Sequence, residues 1–413
     1  MESTSQKSTS SSFNTGFCLQ LAYKVLQKQV EKGLNFVSSP LSLHVILSII
    51  AAGSSGETLK QLLSFLGSES INDLNSSSSE MISSIRSVEE IESGSGPIIS
   101  FVNGTWVEKS FGLKTSFEEI VKHLYKSRIE VADFINKGYQ VEDEVNSWVK
   151  NATKGLIRQL VPSGSLDEDT KLVLVNALYF KGSWDRKFDP SKTSTRNFNL
   201  LDGQNNNNNN IVQVPFMTSK SRYEKYYFTS LESFKILKIP YQNGPNNNNN
   251  INPFKFFMYF FLPHENDGLP NLIHTLNSNP RFLNQNFVLH QEEFDEFWIP
   301  RFKFWFNFEA IESMKELGLV LPFLPGGLTE VSDSSSSQIH KLFVSNITHK
   351  AFIEVNEEGT EAAATTVGRI RMLSGKRYKS SFVADHPFLF MIREETSMAV
   401  FFIGAVLNPL LDS

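Results

Sequence analysis

The stretch His349–Ser374, H-K-A-F-I-E-V-N-E-E-G-T-E-A-A-A-T-T-V-G-R-I-R-M-L-S, limits what this chain can fold into more than any other. It opens by alternating. Ala351, Ile353 and Val355 share one side and Phe352, Glu354 and Asn356 the other, the pattern of a strand with one apolar face. From Gly359 to Thr366 every side chain except Glu361 is small, and no proline occurs. In an extended chain Thr360, Ala362, Ala364 and Thr366 point together, small enough to slide beneath packed layers, while Glu361 faces outward. With no proline, every backbone N–H is free for a ladder. The segment reads as a loop able to become a buried strand. Glu361-Ala-Ala-Ala also favours helix locally, so a plain linker or short helix is the other reading. After Gly368 a basic tip runs from Arg369 to Lys379, before a second apolar run from Phe382.

Upstream, residues 1–12 are a Ser/Thr-rich tail expected to be disordered. Phe17, Leu21 and Val25 recur every four residues and predict an amphipathic helix ending near Gly33. Ser39 before Pro40 is a helix start, and the helix to Ala52 is apolar nearly all round and so belongs in the interior. On it, Ser42 needs a buried partner. Leu59–Leu66 closed by Gly67, the Ser-rich region 76–87, and Val141, Val145, Trp148 and Val149 are further helices. Ser116 with Glu119 reads as a capping box for a helix to Tyr125. Residues 98–107 are a strand. Lys171–Trp184 has the composition of a strand buried on both faces, interrupted by Asn176, whose amide must be satisfied. The runs Asn205–Asn210 and Asn246–Asn250 fall between strand-like segments; lengthening a turn costs little, so they read as expansions of hairpin turns. F-L-F-M-I and A-V-F-F-I-G-A-V are buried strands.

The chemistry-bearing patterns are mostly exclusions. No G-x-S-x-G, P-loop, G-x-G-x-x-G or H-E-x-x-H occurs, the eight His are scattered, and His340 and His349 lack the spacing of a metal pair. Neither a cofactor nor a metal is expected. A net charge of −5 with mixed signs implies no general affinity for nucleic acid or anionic membrane. The single cysteine, Cys18, excludes an internal disulfide and reads as packing on the first helix. The N-terminus lacks an apolar signal core, and no run reaches transmembrane length. The expected compartment is the cytoplasm, with the nucleus also open. Sequons at Asn75, Asn103, Asn151 and Asn346 are accordingly expected to stay unmodified.

The wording H-K-A-F-I-E-V-N-E-E-G-T-E-A-A-A, then F-V-A-D-H-P-F-L-F and F-I-G-A-V-L-N-P, resembles the reactive-loop region of the serpins, the F-V-A-D-H-P-F-L-F segment resembling the plant (Z-type) branch. N-F-V-S-S-P-L-S-L-H-V-I-L-S-I-I-A-A-G also matches, F-W-I-P-R-F-K-F and M-K-E-L-G-L-V-L-P-F continue the resemblance as a strand and then a helix ending at Gly318, and it runs from about residue 13 to 410. It implies an α+β fold of one domain over residues 13–413: a large central sheet A plus sheets B and C, surrounded by about eight or nine helices, with an exposed reactive-centre loop at about 357–381. It implies a hinge formed by Glu358, Gly359, Thr360, Glu361, Ala362, Ala363, Ala364, Thr365 and Thr366. It also places Ser39 and Ser42 under the centre of the main sheet, with Asn176 and His349 as their polar neighbours.

What the resemblance implies about function is a suicide inhibitor that supplies no catalytic residue. A target protease, serine-type or a papain-like or metacaspase-type cysteine enzyme, cleaves the loop and is trapped as a covalent complex. Counting from the hinge glycine as in the family, the reactive bond is Leu373–Ser374, with Arg371–Met372 as competitor. Some serpins bind heparin-like polyanions through a basic helix near residues 76–87; here only Arg86 is basic, so no polyanion cofactor is expected. The inhibitor is expected to be monomeric. The alternative within the family is a non-inhibitory binding, storage or chaperone-like protein, which bulky, charged or proline residues at the inward hinge positions would mark; none is present.

Overall fold

The computed structural model describes residues 15–89, 97–153, 155, 157–201, 210–221, 223–242, 255–279, 282–333, 341–359 and 380–411. Helix α1 (Gly16–Glu31) buries Phe17, Leu21 and Val25, as their spacing requires. Strand β1 (Phe36–Ser38) leads into α2 (Pro40–Ala52). Ser39 caps α2 by accepting the Ser42 N–H at 3.1 Å, and proline occupies the first turn, where its missing N–H costs nothing. Every residue of α2 is buried, which its apolar circumference demands. Helix α3 (Gly56–Leu66) stops at Gly67 in the left-handed region, and α4 (Ile71–Glu89) follows. After β2 (Ile98–Glu108) comes α5 (Thr115–Glu119), continued by a π-helical turn at Ile120–Leu124.

The expected capping box does not form at α5. The cap position is Lys114, and Ser116 lies inside the first turn. The start of the helix is set instead by the Lys114 N–H bonded to the Val331 carbonyl and by burial of Phe117. Next are β3 (Arg128–Ala132), α6 (Phe134–Ala152) and β4 (Leu172–Lys181).

Strands β5 (Ser194–Asn199) and β6 (Ile211–Met217) pair antiparallel with Asn199 opposite Ile211. After β7 (Lys225–Ser230), β8 (Phe234–Pro240) and β9 (Phe256–Pro263) pair with Pro240 opposite Phe257. Both Asn runs, which apart from Asn210 lie outside the described residues, therefore join antiparallel partners. Helix α7 (Leu269–Ser278) precedes β10 (His290–Pro300) and β11 (Phe302–Glu309). F-W-I-P-R-F-K-F is thus two strands, not one. Pro300 brings no N–H, Arg301 turns to donate to the Pro215 carbonyl, and the chain changes sheets there. Helix α8 (Ile311–Glu316), β12 (Asn346–Val355), β13 (Ser380–Val383), β14 (Phe388–Glu394) and β15 (Val400–Val406) complete the fold.

The described strands form two sheets. A five-stranded mixed sheet has the order β11-β12-β4-β2-β3, with β12–β4 and β2–β3 parallel. A ten-stranded system runs β1-β15-β14-β9-β8-β7-β10-β6-β5, with β13 beside β10. The resemblance led us to expect two smaller sheets; these run into each other through the β7–β10 pairing. The main core packs α1, α2 and the ten-stranded system against one face of the five-stranded sheet. A second cluster, including Val141, Val145 and Val149 of α6 with Val173, Val175 and Ala177 of β4, covers the opposite face. Strand β4 is buried on both faces for that reason.

Candidate functional site at the parallel seam of the five-stranded sheet

Strands β4 and β12 lie side by side and parallel, registered from Asn346 opposite Val173 to Ala351 opposite Leu178. The ladder stops there, although β4 runs on to Lys181 and β12 to Val355. Midway along the seam His349 stands opposite Asn176, and both are fully buried. The Ser39 N–H at the start of α2 donates to His349 Nε2 at 3.1 Å, so that nitrogen carries a lone pair. His349 Nδ1 therefore holds the proton and donates to Asn176 Oδ1 at 2.8 Å. The Asn176 amide in turn donates to Asn103 Oδ1 on β2 at 2.6 Å. One directed chain of bonds thus ties α2, β12, β4 and β2 together. Burial lowers the His349 pKa to about 3, holding the imidazole neutral.

Of the four residues assigned to this cluster from sequence, Ser39, Asn176 and His349 meet directly. Ser42 joins only through its N–H; its hydroxyl is buried with no hydrogen-bond partner among the described residues. Asn103 completes the cluster and was noted from sequence only as a sequon. A polar residue interrupting an apolar strand, the signal that marked Asn176, was present there too.

Above the seam, β12 ends in the turn Asn356–Gly359, clamped onto residues that follow β4. The Trp184 N–H donates to the Glu358 carbonyl at 3.0 Å and the Phe188 N–H to the Glu357 carbonyl at 2.9 Å. The Trp184 indole N–H reaches the Asn356 carbonyl at 2.9 Å. The Glu357 carboxylate, 4 % exposed, accepts from Arg301 Nε at 2.7 Å and also from Arg301 Nη2 and the Thr193 hydroxyl. Glu358 pairs with Lys187 at 2.8 Å. Gly359 sits at φ 138° and bridges Ser183; an added Cβ would lie 2.1 Å from the Gly182 carbonyl oxygen and 2.6 Å from the Ser183 Cα. Both the positive φ and the close approach require glycine. Arg301, Thr193 and Lys187 were not found from sequence, because nothing local marks a partner so distant along the chain. The remaining hinge residues Thr360, Glu361, Ala362, Ala363, Ala364, Thr365 and Thr366, and the candidate bonds at Arg371, Met372, Leu373 and Ser374, lie outside the described residues.

Cys18 is buried and unpaired, and burial pushes its thiol well above the usual range, so it is packing rather than a nucleophile. No helix among the described residues is long and apolar enough to cross a membrane.

Comparison with known proteins agrees with the geometry over nearly the whole chain. The family described as Serpin (serine protease inhibitor) matches residues 12–409. Serpin-ZX of Arabidopsis thaliana is 45% identical over 384 residues, 92% of this chain and 94% of that protein. Serpin-Z7 of Hordeum vulgare is 41% identical over 403 residues, 97% of this chain and 96% of that protein. The solved structure of Arabidopsis AtSerpin1 in its native stressed conformation superposes with a TM-score of 0.83 at 42% identity, covering 96% of this chain and 98% of that one. The chain therefore belongs to the serpin family, whose members are in general protease inhibitors rather than enzymes, and it resembles the plant Z-type serpins.

Proposed function

We propose that this chain inhibits serine or papain-like or metacaspase-type cysteine endopeptidases by the suicide-substrate route. The observation that carries the reading is the seam. Two parallel strands abut, their ladder ends at Ala351–Leu178, and β12 leads straight to Gly359 above the unpaired portion. A chain that reverses at Gly359 and enters between them is antiparallel to both. It exchanges one parallel pairing for two antiparallel ones, which are slightly stronger per residue. Thr360, Ala362, Ala364 and Thr366 supply the small inward side chains such a strand needs.

In this reading one domain, residues 13–413, carries a reactive-centre loop at 357–381 and acts as a monomer without a polyanion cofactor. The target's nucleophile attacks the Leu373 carbonyl, the fragment beginning at Ser374 leaves, and the acyl-enzyme is tethered to the loop. Insertion breaks the His349–Asn176 bond, draws the protease along, and distorts the oxyanion hole and base that deacylation needs. The strain stored in the intact fold is released in that step.

Incubation with a panel of serine and cysteine proteases tests this directly. The expected result is a higher-mass band that survives denaturation and contains both proteins. Clean loop cleavage by every protease, with no such band, would establish the non-inhibitory alternative.

A further inference from the structure

The four sequons occupy very different places in the fold. Asn151, in the last turn of α6, is exposed, and Asn346, at the start of β12, is half-buried. Asn75 on α4 is 8 % exposed and accepts the Tyr125 hydroxyl at 2.6 Å. Asn103 is 5 % exposed and is the last acceptor in the bond chain that begins at His349. On its face of β2 the packing is closed: Thr105, the next residue on that side, and Asn176, to which it bonds, are both fully buried.

N-glycosylation acts on the chain before it is folded. The transferase joins the Asn carboxamide nitrogen to the anomeric carbon of a lipid-pyrophosphate-linked oligosaccharide; the amide gives up one proton and the lipid pyrophosphate departs. An oligosaccharide at Asn103 or Asn75 has nowhere to go once β2, β4 and α4 pack. Either the strand and helix stay apart or the glycan is never attached.

We propose that the native state of this chain is reachable only where its sequons escape N-glycosylation, so that a chain passing through a glycosylating compartment is modified at Asn103 and Asn75 and cannot fold. The proposal is independent of whether the protein is inhibitory. It concerns the two buried amides, Asn103 on β2 and Asn75 on α4; the half-buried Asn346 sequon is removed beside them so that Asn151 alone reports the transferase. The amide that accepts from Asn176 behind the seam is at the same time the modification target.

The fold also offers a way to remove the two targets without touching the amides. Thr105 completes the Asn103 sequon, and its hydroxyl is buried with no hydrogen-bond partner among the described residues, so Thr105→Val loses no bond. Ser77 completes the Asn75 sequon, and among the described residues its hydroxyl bonds only to the carbonyl of Leu74, one turn back. Asn346→Asp keeps the acceptor that Thr348 uses at 2.6 Å while ending that sequon.

The test uses the full chain behind an added secretory leader in a glycosylating eukaryotic host, beside the triple variant S77A/T105V/N346D. Asn151 stays in both chains and reports, by its glycan, that each met the transferase. Expected is retention of the parent chain inside the cell with glycans mapped at Asn75 and Asn103, and at least tenfold more secreted, folded variant bearing a glycan at Asn151 alone. Both chains made in a bacterial cytosol should melt alike, which shows that the substitutions themselves are harmless. Parent chain secreted in native form, whether its buried sequons are occupied or empty, would overturn the proposal. So would a variant that melts normally from bacteria yet is retained like the parent.

Discussion

His349 Nδ1 lies 2.8 Å from Asn176 Oδ1 across the parallel β4–β12 seam, and its other ring nitrogen accepts the Ser39 N–H. The imidazole satisfies both neighbours only while neutral; a second proton would set two donors against each other at Ser39. Its pKa is lowered by burial to about 3, against about 6.5 in an unfolded chain. The unfolded state therefore binds the proton first as pH falls. This contribution to stability is complete above about pH 6.5 and drains away down to pH 3, at up to about 1.4 kcal/mol per unit. His44, also buried and lowered to about 3, acts with the same sign. Comparing wild type with His349→Gln cancels it. Urea midpoints at pH 7, 5 and 4 should fall more steeply for wild type than for the variant, and parallel profiles would show that His349 is not titrating with unfolding.

Gly359→Ala should destabilise the intact protein by about 2 kcal/mol or more, combining a left-handed backbone with a Cβ driven into backbone atoms of Gly182 and Ser183. The contact belongs to the clamped turn. In the proposed mechanism that turn is remade when the cleaved loop inserts, and the same substitution should then cost far less. Thermal melts of intact and cleaved forms measure the two penalties. Equal losses in both would mean that Gly359 does not change environment.

Arg301 and Glu357 are unequal partners, since the guanidinium is 42 % exposed and the carboxylate 4 %. Removing the arginine strands a buried charge with Thr193 as its remaining side-chain partner among the described residues, whereas removing the carboxylate leaves a cation that can turn to water. Arg301→Ala should cost roughly 3 kcal/mol or more and Glu357→Gln about 1 kcal/mol. Denaturant melts of the two single variants decide it; a larger loss for Glu357→Gln would show that the pair is held by the arginine's packing and not by the buried charge.

What was legible in the sequence follows the range of the forces involved. The helices at Phe17–Val25 and Pro40–Ala52 and the strand around Asn176 are set by local periodicity and caps, and each was readable. The capping box at Ser116 failed because a tertiary bond from Lys114 to Val331 and the burial of Phe117 override the local preference. Pro300–Arg301 was read through as strand because the change of sheet there depends on the Pro215 carbonyl, far upstream. In the site, His349, Asn176 and Ser39 were named through family resemblance. Glu357's partners Arg301 and Thr193 lie 56 and 164 residues away, beyond any single-sequence signal.

Ala362→Pro and Thr360→Arg should each convert an inhibitor into a substrate. The proline deletes one ladder N–H from the entering strand, and the arginine would have to bury an unpaired cation beneath it. Docking and attack on the loop are untouched, so the protease should cleave at its usual rate while the covalent band disappears. Gel densitometry of band against cleaved product reads the partition, and undiminished trapping by either variant would remove insertion from the mechanism.

The reactive bond itself has two candidates. Leu373 fits an apolar S1 pocket of the chymotrypsin-like or cathepsin-like kind, whereas a trypsin-like pocket needs a cation. Arg371 offers that cation two residues upstream, to Arg-selective targets including metacaspase-type enzymes. The two sites are not equivalent for trapping. Cleavage after Arg371 shortens the strand available for insertion by two residues, about 7 Å of extended chain, and so shortens the distance the acyl-enzyme is drawn. Reaction there should lean towards turnover, and reaction at Leu373–Ser374 towards a stable complex. The small fragment released from the covalent complex should therefore begin at Ser374 by mass spectrometry. A fragment beginning at Met372 would move the reactive bond to Arg371. Leu373→Arg is the companion: it should shift trapping towards trypsin-like enzymes while leaving the turn at Asn356–Gly359 and its contacts with Trp184 unchanged, because those contacts lie on the far side of the hinge from the bond.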